Sequence, residues 1–352
     1  MAHIDQSNRV PKNDTDVSIY MKSLLNDAGT IPIDEDVDSY EISLPPWYDE
    51  EKFKRGQQFF NRNFAATMAA ALCGLVSVFA IPSILEVLIF TNRSSTPVTA
   101  YKRYVLTILH TLNWYREAMK PGSNCWKSLE YVRRIHAVSS KQANTKHPKM
   151  LISQKDMAIT QFGFIGYVMI GPRKLGIQYD EKELEGFVHL WRTIGHMLGI
   201  QERFNLCTDS ASKTLRRMEA LNEQIVRPAL QVSSADFEQM TRALVDGLWC
   251  YNFLMEYNTF VFLTRRLSNV PGHYYWDDEQ RDTPKALYEE FSWYSRAMLN
   301  FTLVLHEIFL NYTVLRWFFN WYGKINIIVN WYFPWLAMLS YGIKNAYVRL
   351  VY

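Results

Sequence analysis

The chain has 352 residues, 48% hydrophobic and 15% aromatic, enough for one large domain with a substantial core. A net charge of +3 without any block rich in Lys and Arg excludes an electrostatic nucleic-acid binder. The four cysteines, Cys73, Cys125, Cys207 and Cys250, lie far apart, make neither a CxxC nor a zinc spacing, and read as reduced thiols of an intracellular protein.

Residues 1–45 are polar and acidic, with "IDEDVD" at Ile33–Asp38. No basic segment leads there into an apolar one, so a loose N-terminal arm is expected rather than a cleaved signal. Residues 46–352 are expected to form a single helical domain. In "LPPWYDEEKFKRGQQFF" a loop feeds a helix, with Asp49 as N-cap and Glu50 and Glu51 in the first turn. "FAATMAAALCGLVSVFAIPSIL", Phe64–Leu85, is uncharged and long enough to span a bilayer, but its small residues and Pro82 favour a buried core helix. "STPVTAYKRYVLTILHTLNWYREAMKPG" has a Thr/Pro start, apolar periodicity and a Pro-Gly stop. "EYVRRIHAVSS", "SQKDMAITQFGFIGYVMIG" and "DEKELEGFVHLWRTIGHMLGI" continue the helical pattern. "SSADFEQMTRALVDGLWCYNFLMEYNTFVFL" begins another long helix at Ser234 or Asp236. After the loop "VPGHYYWDDEQRDTP" helices run to the end, through the uncharged "INIIVNWYFPWLAMLSYGI" of Ile325–Ile343. With no alternating strands and no repeat, the fold class is all-α.

The common catalytic frameworks are missing. "HEIFL" at His306–Leu310 lacks the second histidine of a zincin, no paired ExxH marks a di-iron bundle, and there is no GxSxG, P-loop or GxGxxG after a strand. Three constellations remain. Arg103, Thr107 and His110 share one face of a helix otherwise wrapped in apolar residues, and a buried guanidinium there needs an anion such as the Glu86 carboxylate or a ligand. His189 and His196, with Arg192 and Thr193 between them, read as a hydrogen-bonded support rather than a metal site. His136 shares an apolar stripe with Leu129 and Val132, which suits either a core histidine or a metal ligand facing a dry pocket.

The ordered pieces "LPPWYDEEKFKRGQQFF", "IPSILEVLIFTNRSS", "KRYVLT", "VRRIHA", "ISQKDMAITQFGF" and "HLWRTIGHMLGI", from Pro45 to Ile200, resemble the rubber oxygenase (latex-clearing protein) family and the ER-bound oxygenase of mycophenolic acid biosynthesis. The resemblance implies a globin-like helical core holding haem b and an oxygenase that uses dioxygen on small apolar, often isoprenoid, substrates. It implies that His136 ligates the iron, with its other ring nitrogen held by a carbonyl or side chain, and that Arg103 and Thr107 lie on the distal side. Glu86 matches the acid–base carboxylate of the family loosely. Rubber-cleaving members carry a lysine before the distal threonine; Leu106 stands there, which favours a small substrate over a polymer, and His110 is positioned to replace the missing ligand in part. The rival readings are a haem carrier or sensor without catalysis, and a polytopic membrane protein spanning at 64–85 and 325–343. The aromatic C-terminal stretch is expected to lie peripherally on a membrane, at the cytosolic face of the endoplasmic reticulum.

Overall fold

The computed structural model describes residues 14–34, 41–146, 150–275, 287, 290–350 and 352. Helices account for nearly all regular structure among them; the sole β-pairing is an isolated bridge between Pro32 and Ser153. In chain order the helices are α1 (Thr15–Asn26), α2 (Glu50–Arg62), α3 (Phe64–Phe79), α4 (Pro82–Thr91), α5 (Pro97–Arg116), α6 (Asn124–Lys146), α7 (Gln154–Ile170) and α8 (Glu181–Met197). They continue as α9 (Ala211–Leu221), α10 (Arg227–Gln231), α11 (Ala235–Trp249), α12 (Tyr257–Leu267), α13 (Trp293–Glu307), α14 (Thr313–Tyr332), α15 (Trp335–Tyr341) and α16 (Ile343–Ala346).

The helix starts follow the local chemistry. Asp49 caps α2, its carboxylate accepting from the backbone of Glu51 and Lys52 at 2.9 and 3.0 Å. Thr96 and Thr99 cap α5 reciprocally, with Pro97 in its first turn. Ser153 with Asp156, and Asp180 with Glu183, form the same box at α7 and α8. Ser234, not Asp236, caps α11. The loop expected at 270–284 falls largely outside the described residues.

Phe64–Leu85 is not one helix. α3 stops at Phe79, the chain turns through Ala80 and Ile81, and Pro82 opens α4. Most of α3 is buried against protein, which accounts for its lack of charge. Among the described residues no single helix is long and apolar enough to cross a membrane; only α2 and α3 together pass, and they meet at 93°. Ile325–Ile343 is likewise broken, at Phe333 and Pro334.

The loose arm is corrected over residues 14–34. Val17, Tyr20, Met21 and Leu24 form a buried stripe on α1. The Tyr20 hydroxyl donates to the Phe204 carbonyl at 2.9 Å, and Asp34 pairs with Arg133 of α6 through two hydrogen bonds. Gln154 then stitches the segment down: its amide donates to the carbonyls of Ile33 and Gly199 at 3.2 and 2.8 Å. Residues 1–13 and 35–40 lie outside the described residues.

Glycines set the closest helix crossings. A Cβ on Gly74 of α3 would stand 1.8 Å from the carbonyl oxygen of Gly163 on α7, and one on Gly56 of α2 would stand 2.5 Å from that of Gly186 on α8. No side chain fits between backbones at that range. Gly74→Ala is expected to cost about 3 kcal/mol of stability by forcing α3 and α7 apart. Gly29→Ala, whose Cβ would have 3.7 Å to its nearest neighbour, is expected to be near neutral. Denaturant midpoints of the two variants check this; equal midpoints would remove the crossing as a constraint.

Candidate active site

A cavity of about 430 Å³ opens beside the α3–α7 crossing. Its walls are mostly apolar: Met68, Leu72 and Leu75 from α3, Val87 and Leu88 from α4, Met157 and Phe164 from α7. Into this setting α5 and α6 bring a cluster of polar groups, beside Asp156, Thr160 and Gln161 of α7. Arg103, Thr107, His110, Thr111 and Trp114 line the cavity from α5, and Val132 and His136 from α6. The helical spacing of the α5 stripe places all five on one side.

His136 is the least satisfied of these. Its Nδ1 is buried, and neither ring nitrogen makes a hydrogen bond among the described residues. The partner expected to hold the second nitrogen is therefore not there; the wall one turn before it is Val132. Burial, then the charges of Arg103 and His110, push its pKa down to about 4, so the ring is neutral at physiological pH. Burial lowers the pKa of His110 to about 4 as well. Its Nδ1 lies 2.8 Å from the Ser128 hydroxyl of α6, which also accepts from Trp114 Nε1 at 2.8 Å, while its Nε2 is buried without a partner. Leaving a polar atom unpaired in the interior costs roughly 1–3 kcal/mol. Two such imidazole nitrogens at one cavity mark a place prepared for something other than this chain's own side chains.

Arg103 sits at the rim of the same group. It donates to the hydroxyls of Ser94 and Thr91 at 3.2 and 3.4 Å and forms no carboxylate pair among the described residues. The Thr107 hydroxyl donates to the Arg103 carbonyl at 3.1 Å, leaving its lone pairs toward other partners. Glu86 does not join them: it is half-buried on α4 but is absent from the cavity lining, to which Ile84, Val87 and Leu88 contribute instead. Leu106 is likewise half-buried and off the lining, at the edge of the α5 face one turn before His110.

Several lining residues carried no sequence signal of function. Trp114 continues the α5 stripe one turn past His110. Trp191 fills the floor, its indole N–H donating to the Tyr115 hydroxyl at 3.0 Å. His306, noted only for the failed zincin pattern, lines the far wall and hydrogen-bonds the Leu175 carbonyl through Nδ1 at 3.1 Å. Among the described residues no three His, Cys, Asp or Glu side chains converge on a site for a bare metal ion.

The "HLWRTIGH" and "LPPWYDEE" pieces meet each other away from the imidazole pair. Trp47 is enclosed by Arg192, whose guanidinium lies 3.9 Å from the ring centre, and by the rings of His189 and His196 at 5.7 and 6.0 Å. His189 Nε2 accepts from the Asp49 backbone N–H at 3.0 Å, which fixes the start of α2 on α8. This is the supporting role expected of these residues.

Residues 58–301 match the family described as "ER-bound oxygenase mpaB/B'/Rubber oxygenase, catalytic domain". A rubber oxygenase of Streptomyces sp. (strain K30) is 26% identical over 97 residues, which are 28% of this chain and 22% of that protein. The chain thus aligns with about a fifth of that relative's length. A solved structure, "Structure of Latex Clearing Protein LCP in the closed state", superposes with a TM-score of 0.53 at 14% identity, over 89% of this chain and 88% of that one. That likeness is one of fold. The family match runs about a hundred residues beyond Ile200, where the motif resemblance stops.

Burial, with the nearby charges of Lys52 and Arg192, lowers the His189 pKa from 6.5 to about 4. Between those two values the unfolded chain takes up a proton that the native protein refuses. Stability is therefore expected to fall as pH drops from 6.5 toward 4. His189→Ala is expected to be less stable than the parent at pH 7 and to show a shallower decline across that window, read by thermal unfolding against pH. A variant with an unchanged slope would show that His189 does not titrate on unfolding.

Proposed function

The chain belongs to the ER-bound oxygenase mpaB/B' and rubber oxygenase family, and we propose that its cavity holds haem b and oxidises or cleaves a carbon–carbon double or single bond of a small apolar substrate with dioxygen. One observation carries the reading. His136 and His110 line the same apolar cavity, and each has a buried ring nitrogen without a partner. A porphyrin supplies four donors of its own, so a single neutral imidazole suffices from the protein. The residues fit that demand.

His136 would hold the iron, since its desolvated ring stays unprotonated and its lone pairs are not engaged by protein. When bound, haem supplies the redox chemistry that activates dioxygen. The remaining steps belong to the side chains. The apolar walls take up a hydrocarbon and exclude water, which strengthens every electrostatic contact made inside. Arg103, without a carboxylate partner among the described residues, keeps N–H groups for an anionic or carbonyl oxygen, whether of cofactor or substrate. Thr107 offers a hydroxyl oxygen beside it. Leu106 brings no amine to the cavity, unlike the lysine implied for rubber-cleaving members, which supports a small substrate rather than a polymer. Glu86, away from the lining, has no evident part in moving protons for a substrate held there.

The purified protein is expected to show a Soret band. His136→Ala is expected to lose it while far-UV dichroism is unchanged; full haem retention in that variant would overturn the assignment. Arg103→Ala is expected to keep haem and lose turnover on the order of a hundredfold. Loss of haem with unchanged activity per haem would place Arg103 in cofactor retention instead.

A further inference from the structure

α14 is built inside out. Several of its inward positions are polar. Arg316 is buried and donates to the Leu310 carbonyl at 2.8 Å. Asn320 is buried and bridges the Arg62 carbonyl, at 2.7 Å, to the Ala65 N–H, at 2.9 Å. Asn326 donates to the Tyr251 carbonyl at 2.6 Å. Its outward positions are apolar: Val314 is 77% exposed, Trp317 62%, Phe318 55% and Tyr332 74%. The exposure continues along Phe333, Trp335 and Leu339, the last 78% exposed. A helix with water on its outer side has the reverse arrangement, because large apolar side chains gain by leaving water and amides do not.

The charge pattern adds to this. From Ile308 to Tyr352 the sequence has no Asp or Glu, and its cations are Arg316, Lys324, Lys344 and Arg349. The 20 residues of α14 present this face over about 30 Å. α14 also has a second side: Phe319, Tyr322, Gly323, Asn326 and Ile327 line the cavity. One helix thus separates the candidate active site from the apolar outer face.

We propose that the outer face of α14 and α15 docks on a phospholipid bilayer, lying along the boundary between headgroups and acyl chains. The aromatic rings sit at headgroup depth, and Lys344 and Arg349, both exposed at the end of the face, reach lipid phosphates. The asparagines that would forbid lipid contact are turned inward and satisfied. A second copy of this chain is the poorer occupant, since it would set a cationic, acid-free face against itself. Docking places the cavity one helix away from the phase in which an apolar substrate dissolves. This delivery step rests on the function proposed above; the docking does not.

The test is flotation of the full-length protein with vesicles of phosphatidylcholine, alone or mixed with phosphatidylserine. Binding to both is expected, stronger with the anionic lipid and reduced but not abolished by salt. Joint replacement of Trp317, Trp321 and Trp335 by Ser is expected to weaken partitioning more than tenfold. Lys344→Ala and Arg349→Ala are each expected to lower anionic-lipid binding by about fivefold. A triple variant that floats like the parent overturns the proposal, as does a parent that stays with the aqueous fraction and dimerises through this face by light scattering. Should the triple variant fail to fold, quenching of parent tryptophan fluorescence by brominated acyl chains decides, and no quenching overturns the docking. The Soret band read in the same samples reports the cofactor separately, so either reading can fail alone.

Discussion

Two backbones meet at Gly74 and Gly163 with no side chain between them, and this contact governs the space around it. Helices that touch through glycine diverge on either side, where larger residues resume. Met68, Leu72 and Leu75 on one helix and Met157 and Phe164 on the other line the opening that results. α5 and α6 close it with a different chemistry, because Arg103, Thr107, His110 and His136 are the polar groups those helices turn inward. The cavity thus lies beside one tight crossing and takes its imidazoles from a pair of helices that do not share in it.

The polar groups elsewhere in the interior show how unusual the imidazoles are. Gln161 gives its amide to the Trp191 carbonyl and Asn205 side chain, and takes the Leu206 N–H on its oxygen. Arg266, wholly buried, is paired with Glu307. The fold evidently satisfies demanding groups where it can. A few buried atoms elsewhere, such as Asn222 Oδ1 and Thr241 Oγ1, also lack a partner, but His136 and His110 are two such groups facing one cavity.

Much of this was legible in the sequence. Caps at Asp49, Thr96 and Ser234 and the all-helical pattern follow from local rules, and Arg103, Thr107 and His110 share one helix face as periodicity required, while their meeting with His136 was only implied by the family resemblance. What failed had physical causes. Glu86 shares α4 with lining residues, but a rotation of about 100° per residue separates a wall from its back, and motif resemblance does not resolve that angle. The α1 stripe is hidden in polar surroundings, although four apolar residues at the right spacing suffice to dock a short helix. The inversion of α14 needed the structure, because a stretch mixing Trp, Asn and Lys does not reveal which set faces inward. Contacts such as Gln154 with Gly199 join distant segments and leave no periodic trace.

The four cysteines are all free and buried. Burial pushes the thiols of Cys73 and Cys125 up to about 12, so neither supplies a thiolate at neutral pH, and none of the four belongs to the cavity wall. The sulfur that does face the cavity is of another kind: the thioethers of Met68, Met157 and Met255. Methionine oxidises without ionising and becomes a polar sulfoxide, poorly suited to an apolar wall. If dioxygen is handled in this cavity as proposed, oxidative wear falls on these three thioethers rather than on the cysteines, and its product is a wetter wall, not a cross-link.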